Sequence, residues 1–173
     1  MESFKTKDVM EHYASALRAL YGDSGREAAE RIANTMEEFF RVFGMPGNPD
    51  SLRLFSAPGR TEIGGNHTDH QRGCVLAMAV DLDVIGVAAA TNSNTVRIYS
   101  DAYGMDTVDL DDRAPDPAEY GRSAALVRGV AEGLRRGGFS VGGFDAVTFS
   151  QVPKGSGLSS SAAYEVLLGA IFN

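Results

Sequence analysis

Residues 151–164 read Q-V-P-K-G-S-G-L-S-S-S-A-A-Y, which places two glycines, a serine triplet and two alanines between an expected strand and an expected helix. Pro153 has no N–H to give to a ladder and ends the strand. Gly155 and Gly157 permit positive φ and let the main chain approach a ligand closely. Ser159 to Ala163 then open a helix whose first N–H groups have no partner inside it. Those donors, together with the helix dipole, suit a phosphate. The glycines alone fit equally well an ordinary strand–loop–helix connection packed closely through small residues. The serines tip the balance. Serine is a middling helix former, and three in a first turn supply hydroxyls where phosphate oxygens or Mg²⁺ would sit. The G-x-x-x-x-G-K-[ST] spacing of a Walker A loop is missing. Lys154 precedes both glycines and reads as a solvated loop lysine that at most adds positive potential.

A second polar stretch follows the first expected strand. Residues 57–70, A-P-G-R-T-E-I-G-G-N-H-T-D-H, bring Arg60, Glu62, Asn66, His67, Asp69 and His70 close together, with Gly64 and Gly65 bending the chain. Carboxylates and amides fix sugar hydroxyls, which both donate and accept. An arginine here could neutralise phosphoryl charge or lower the pKa of a nearby carboxylate. Three plainer readings stay open: a solvated loop, a metal site at His67, Asp69 and His70, or an Asp69–His70 pair that orients the loop. H-x-D-H matches no standard zinc spacing, and no cysteine assists it.

Both stretches resemble one family. P-K-G-S-G-L-S-S-S-A-A is similar to the second motif of the GHMP kinases, which phosphorylate galactose, homoserine, mevalonate and phosphomevalonate. The resemblance implies that Pro153, Gly155, Ser156, Gly157, Leu158, Ser159, Ser160 and Ser161 wrap the phosphates of ATP, with Ser160 facing Mg²⁺. Residues 59–70 resemble the galactokinase signature G-R-x-N-x-I-G-E-H-x-D-Y, with Gly59, Arg60, Gly65, His67 and Asp69 matching position for position. Gly73 and residues 75–79 continue the likeness. By this resemblance Arg60 is the catalytic arginine, and Arg60, Glu62, Asn66, His67 and Asp69 contact the sugar. Glu62, Gly64, Asn66 and His70 depart from the signature's asparagine, isoleucine, glutamate and tyrosine. Because Asn66 donates as well as accepts, the preferred hydroxyl pattern can differ, and galactose is the leading hexose. The implied activity is transfer of the γ-phosphoryl group of ATP to the anomeric hydroxyl. The family's catalytic aspartate lies beyond the second motif, so these 173 residues alone are expected to be inactive. Two alternatives are a non-catalytic sugar or nucleotide sensor, and a structural half that needs a second chain.

Bulk properties agree with a globular protein. The chain has 173 residues, enough for one domain that buries roughly 70% of its unfolded surface. Hydrophobic content of 43% and charged content of 23% are ordinary. A net charge of -7 argues against non-specific nucleic-acid binding. The single cysteine, Cys74, rules out an intrachain disulfide and fits a reducing compartment. No apolar leader or spanning stretch is evident, so no membrane partner is expected and the chain reads as cytoplasmic.

Periodicity organises the rest. Val9, Tyr13, Ala16, Leu17 and Leu20 share one helical face. Ser24 and Glu27 fit a capping box before the stripe Ala28, Ile32, Met36, Phe39, Phe40 and Phe43, which Gly44 and Pro46 stop. The stripe reads as core packing rather than as a partner-binding face. Strands are expected over 52–57, 75–80, 84–91, 95–100, 105–110 and 144–152, with Asn92-Ser93-Asn94 as a hairpin turn. Asp116-Pro117 caps a helix that Tyr120, Ala124, Val127, Ala131 and Leu134 carry to Gly137. The closing helix is still apolar at Leu167, Leu168, Ile171 and Phe172, with only Asn173 after it. That pattern is expected of the N-terminal piece of a longer protein, with surfaces open to self-association. The expected architecture is α+β, a mixed β-sheet with helices packed on it. It resembles a truncated N-terminal domain of the GHMP kinases (ribosomal protein S5 domain 2-like). Residues 1–50 form a helical extension, and 51–173 form the partial domain.

Overall fold

The computed structural model describes residues 6–65, Thr68 and residues 71–173. Three helices come first: α1 (Thr6–His12), α2 (Ala14–Tyr21) and α3 (Gly25–Phe43). Then follow β1 (Leu52–Gly64), β2 (Leu76–Ala90), β3 (Thr95–Ser100), β4 (Gly104–Asp109), α4 (Ser123–Arg136), β5 (Phe144–Ser150) and α5 (Ser160–Phe172). The five strands form one sheet in the order β1-β2-β5-β3-β4. Only the β3–β5 pair is parallel, so the sheet is mixed as expected.

Alternation along the central strands sorts the core into two layers. Ile85, Val87 and Ala89 of β2 and Val147 of β5 face α3, where Ala28, Ala29, Ile32, Ala33, Met36 and Phe39 close over them. The α3 stripe is therefore core. Ala88, Ala146 and Phe144 face the other way, onto Val127 and Ala131 of α4 and Leu168 of α5. Helix α5 crosses β2 at Gly86, where a Cβ would lie 3.3 Å from Leu167 Cδ2. Phe172 meets the edge of the Phe144 ring at 5.1 Å, fixing the end of α5.

Several local expectations give way to tertiary geometry. Asn92-Ser93-Asn94 does not form a hairpin turn, because β5 inserts between β2 and β3. Those residues instead receive the start of β5: the Gly143 N–H donates to Ser93 O at 2.9 Å, and Thr91 N–H donates to Gly143 O at 3.0 Å. A Cβ on Gly143 would sit 2.4 Å from the carbonyl oxygens of Ser93 and Thr95, so only glycine fits there. The hairpin is β3–β4, paired from Thr95↔Asp109 to Ser100↔Gly104. The expected strands 75–80 and 84–91 merge into β2, since the acids between them do not break it. The strand expected over 52–57 runs on as β1 through Pro58, which an edge strand tolerates.

The helix ends differ as well. Gly22–Ser24 form a 3₁₀ turn that runs directly into α3, leaving Ser24 at ψ 5 without a side-chain cap, so no capping box forms. Asp116 caps as expected, accepting from the Ala118 N–H at 2.9 Å, but what it caps is a 3₁₀ turn. Gly121, at φ 76, redirects the chain before α4 begins at Ser123, and Tyr120 is 70% exposed. Within the first helical face Val9 and Leu17 are buried, but Leu20 is 63% exposed. It lines a cavity of about 680 Å³ between α2 and β1, along with Leu17, Leu52 and Leu54.

Tyr164 of α5 carries a buried hydroxyl with no hydrogen-bond partner among the described residues. Burial, with Asp106 nearby, holds its phenol well above the ordinary tyrosine range. A phenol raised on folding leaves stability intact below the ordinary phenol pKa of about 10 and withdraws it as pH climbs further. Tyr164→Phe is expected to stabilise the fold by about 1 kcal/mol at neutral pH, because it removes an unsatisfied buried group. It should also shrink the alkaline loss. Urea midpoints at pH 7 and at about pH 10.5 check both points.

Candidate active site

Arg60 lies within β1 rather than in a loop after it, opposite Ala79 of β2. Its backbone N–H donates to Leu158 O at 3.0 Å, and its Nη1 donates to Gly157 O at 3.1 Å. The two stretches singled out from the sequence, almost a hundred residues apart, therefore meet through main chain and side chain together. Gly59 makes the approach possible. A Cβ there would lie 3.0 Å from Leu158 O and 3.2 Å from Val152 Cγ1. Glu62, two residues along the strand from Arg60, falls on the same face of β1 and is half-buried.

The glycine-rich loop has the expected backbone. Gly155 and Gly157 adopt φ 74 and φ 79, and nothing lies within 4 Å of a Cβ built on either. That open space borders the helix start. Ser159 is outside α5, in the left-handed region at φ 59 and ψ 57, so two serines rather than three occupy the first turn. A non-glycine residue in that region is uncommon and clusters at ligand sites. The first helical bond of α5 runs from the Ala163 N–H to Ser159 O at 3.0 Å. The N–H groups of Ser160, Ser161 and Ala162 therefore have no partner in the helix. Among the described residues the hydroxyls of Ser159, Ser160 and Ser161 make no hydrogen bond, and Ser159 does not cap α5 with its side chain.

Other loop groups are engaged internally. The Ser156 hydroxyl donates to Pro153 O at 2.7 Å and accepts from the Leu158 N–H at 3.3 Å, closing the turn. Ser156 and Leu158 thus shape the cradle through their engaged hydroxyl and N–H. Lys154 is exposed, as expected, but its Nζ stands over the Tyr103 ring at 5.9 Å.

Of the residues expected at a sugar, Asn66, His67 and Asp69 lie outside the described residues, as does His70. The frame that holds this segment is visible. Gly65 turns at φ 115, where a Cβ would come within 2.6 Å of Cys74 O, so the bend is at Gly65 rather than at Gly64. Thr68, to which sequence patterning assigns no role, bonds to described residues on both sides. Its hydroxyl donates to Gly65 O at 2.8 Å, and its carbonyl accepts from the N–H groups of Gln71 and Gly73 at 2.9 and 2.8 Å. No group of three or more acidic, histidine or cysteine side chains among the described residues is arranged to hold a metal ion. Mg²⁺ fits such a place all the same, because it keeps several waters and leans on substrate phosphates with few protein ligands.

Asp83 was also missed. It is 2% exposed and collects three donors: Arg31 Nη1 at 2.7 Å, Ser56 Oγ at 2.6 Å and the Tyr21 hydroxyl. Burial, and then the bond to Asp83, lifts the Tyr21 phenol above the usual tyrosine range. The available signal was an acid at an inward position of an apolar alternating strand, which needs distant partners.

Comparisons with known proteins bear on both stretches. The galactokinase galactose-binding signature matches residues 37–90, and the N terminal domain of the GHMP kinases matches residues 125–173. The crystal structure of Lactococcus lactis galactokinase complexed with galactose is 30% identical, with a TM-score of 0.72 over 82% of this chain. The chain spans only 36% of that protein. Methanococcus jannaschii mevalonate kinase is 17% identical, with a TM-score of 0.57, over 72% of this chain and 40% of its own. That second likeness is one of fold alone. No described helix is long and apolar enough to cross a membrane.

Proposed function

Because this chain carries the N-terminal domain of a galactokinase-like GHMP kinase, we propose that it supplies the nucleotide cradle and the sugar face of an ATP-dependent sugar 1-kinase. The single observation that carries the reading is the Arg60–Gly157 contact, which joins the sugar signature to the phosphate loop. In this reading the γ-phosphoryl group of ATP passes to the anomeric hydroxyl of galactose or a related hexose. The N–H groups of Gly155, Ser156, Gly157, Ser160, Ser161 and Ala162 receive the phosphate oxygens, as donors at a helix start do. Arg60 offsets charge that develops on the transferring group. Glu62, Asn66, His67 and Asp69 fix the sugar hydroxyls. Mg²⁺, held in part by the Ser160 hydroxyl, would neutralise phosphoryl charge when bound.

Support is chemical as well as familial. A protein of net charge -7 draws a polyanion only through local donors, and they are concentrated here. Turnover is assigned to an enzyme that carries this chain, and binding without turnover to the 173 residues alone. The enzyme would act in the cytoplasm. The test is MgATP-dependent phosphorylation across galactose, glucose and their epimers by such an enzyme, followed by the phosphorylated product. Phosphorylation at the anomeric position, fastest with galactose, is the expected result. Tight sugar or nucleotide binding with no product would overturn catalysis and favour a sensor, the reading that the substitutions at Asn66 and His70 motivate.

A further inference from the structure

Tyr21 and Arg31 both lie ahead of the matched sugar signature, which begins at residue 37, yet both bond the same buried carboxylate on β2. Asp83 sits where two chain segments diverge. In the β1–β2 ladder it faces Pro58, two residues before Arg60, and the register then jumps to Arg60↔Ala79. Its carbonyl accepts from the Gln151 N–H at 2.9 Å, at the point where β5 leaves the sheet for the phosphate loop. Two residues upstream of Pro58 on β1, Ser56 donates to the Asp83 carboxylate, so side chain and main chain of one residue hold both segments. An interrupted ladder leaves the next rung under-determined by backbone pairing alone.

We propose that Asp83, clamped by Tyr21 and Arg31, is a positioning residue that sets Arg60 against the phosphate loop. The helical segment before the sugar signature is then part of the site's machinery rather than an appendage to it. The role assigned to Arg60 rests on the kinase reading, but the coupling itself is a property of the free chain. Asp83 requires its donors because a carboxylate at this depth tolerates no missing partner. Arg31 supplies the charge, and its guanidinium stands 5.6 Å from the Tyr21 ring centroid, so the two donors hold each other in place. With the carboxylate fixed, β1 and the start of the loop keep one relative position, and the Arg60 N–H stays on Leu158 O.

Amide hydrogen exchange on the 173-residue chain tests this, read at the Arg60 N–H and, as an internal control, at Ile98 in β3. Tyr21→Phe and Arg31→Met are expected to speed Arg60 exchange about tenfold relative to Ile98, through local opening. Arg31→Lys should restore most of the protection, since the single bond to Asp83 needs only one charged donor. Equal acceleration at Arg60 and Ile98, no change at Arg60, or no rescue by lysine would each overturn the proposal. Should Arg31→Met fail to fold, Tyr21→Phe, which keeps the ring and loses one hydroxyl, carries the test alone. No ligand enters the measurement. Absence of MgATP binding by the unmodified chain in calorimetry would therefore strike at the kinase reading while leaving the exchange result standing.

Discussion

Arg60→Ala is expected to lower kcat about a hundredfold or more in an enzyme that carries this chain, the scale of losing one transition-state donor. Two separate contacts hold Arg60 at the loop, and alanine removes only one of them. The backbone bond to Leu158 O survives, while the Nη1 bond to Gly157 O is lost. The β1 scaffold and the loop should therefore stay in place, and the defect should fall on charge stabilisation. KM for the sugar is expected to change far less than kcat, the pattern of an interaction made mainly in the transition state. Steady-state kinetics with galactose, alongside an unchanged thermal midpoint, check the prediction. Near-normal turnover would remove Arg60 from the mechanism.

Phe39→Ala is expected to destabilise the fold by about 3–5 kcal/mol, a range set by the lost ring and the cavity left behind. Phe39 is 1% exposed and is grouped with Ile85, Val87 and Val147 of the sheet. Its ring also meets those of Phe40 at 6.0 Å and Phe43 at 5.3 Å, so few neighbours are free to collapse inward. Because α3 packs directly on β2 and β5 in the sheet interior, the loss should appear in the global transition. Urea unfolding followed by circular dichroism should show one transition for parent and variant alike, displaced to lower denaturant in the variant. An earlier, separate melting of the helices would instead make residues 1–50 an independent extension. One transition would join them to the sheet as a single unit.

The two predictions draw on different kinds of information. Arg60 was legible because its neighbours in the chain are also its neighbours in the family's motif. Phe39 was legible because a helix with apolar residues three and four apart must bury that face. The glycine-rich loop was read for the same local reason: Gly155 and Gly157 at positive φ, followed by small helix-starting residues, restrict what the backbone there can do. Asp83 could not be read this way. Asp81 and Asp83 look alike in sequence, but one is exposed and the other is the centre of a buried network. What separates them is which side chains arrive from residues 21, 31 and 56.

From sequence alone came the mixed α+β architecture, the two functional stretches and the stripe of α3, all of which follow from local backbone limits and from periodicity. The tertiary structure alone decided three things: that β5 lies between β2 and β3, that β2 runs unbroken through its acids, and that Arg60 abuts Gly157. The physical reason is range. Propensity and patterning act over a few residues, whereas strand order, charge compensation and contact between two motifs depend on partners tens of residues away, chosen only when the sheet closes.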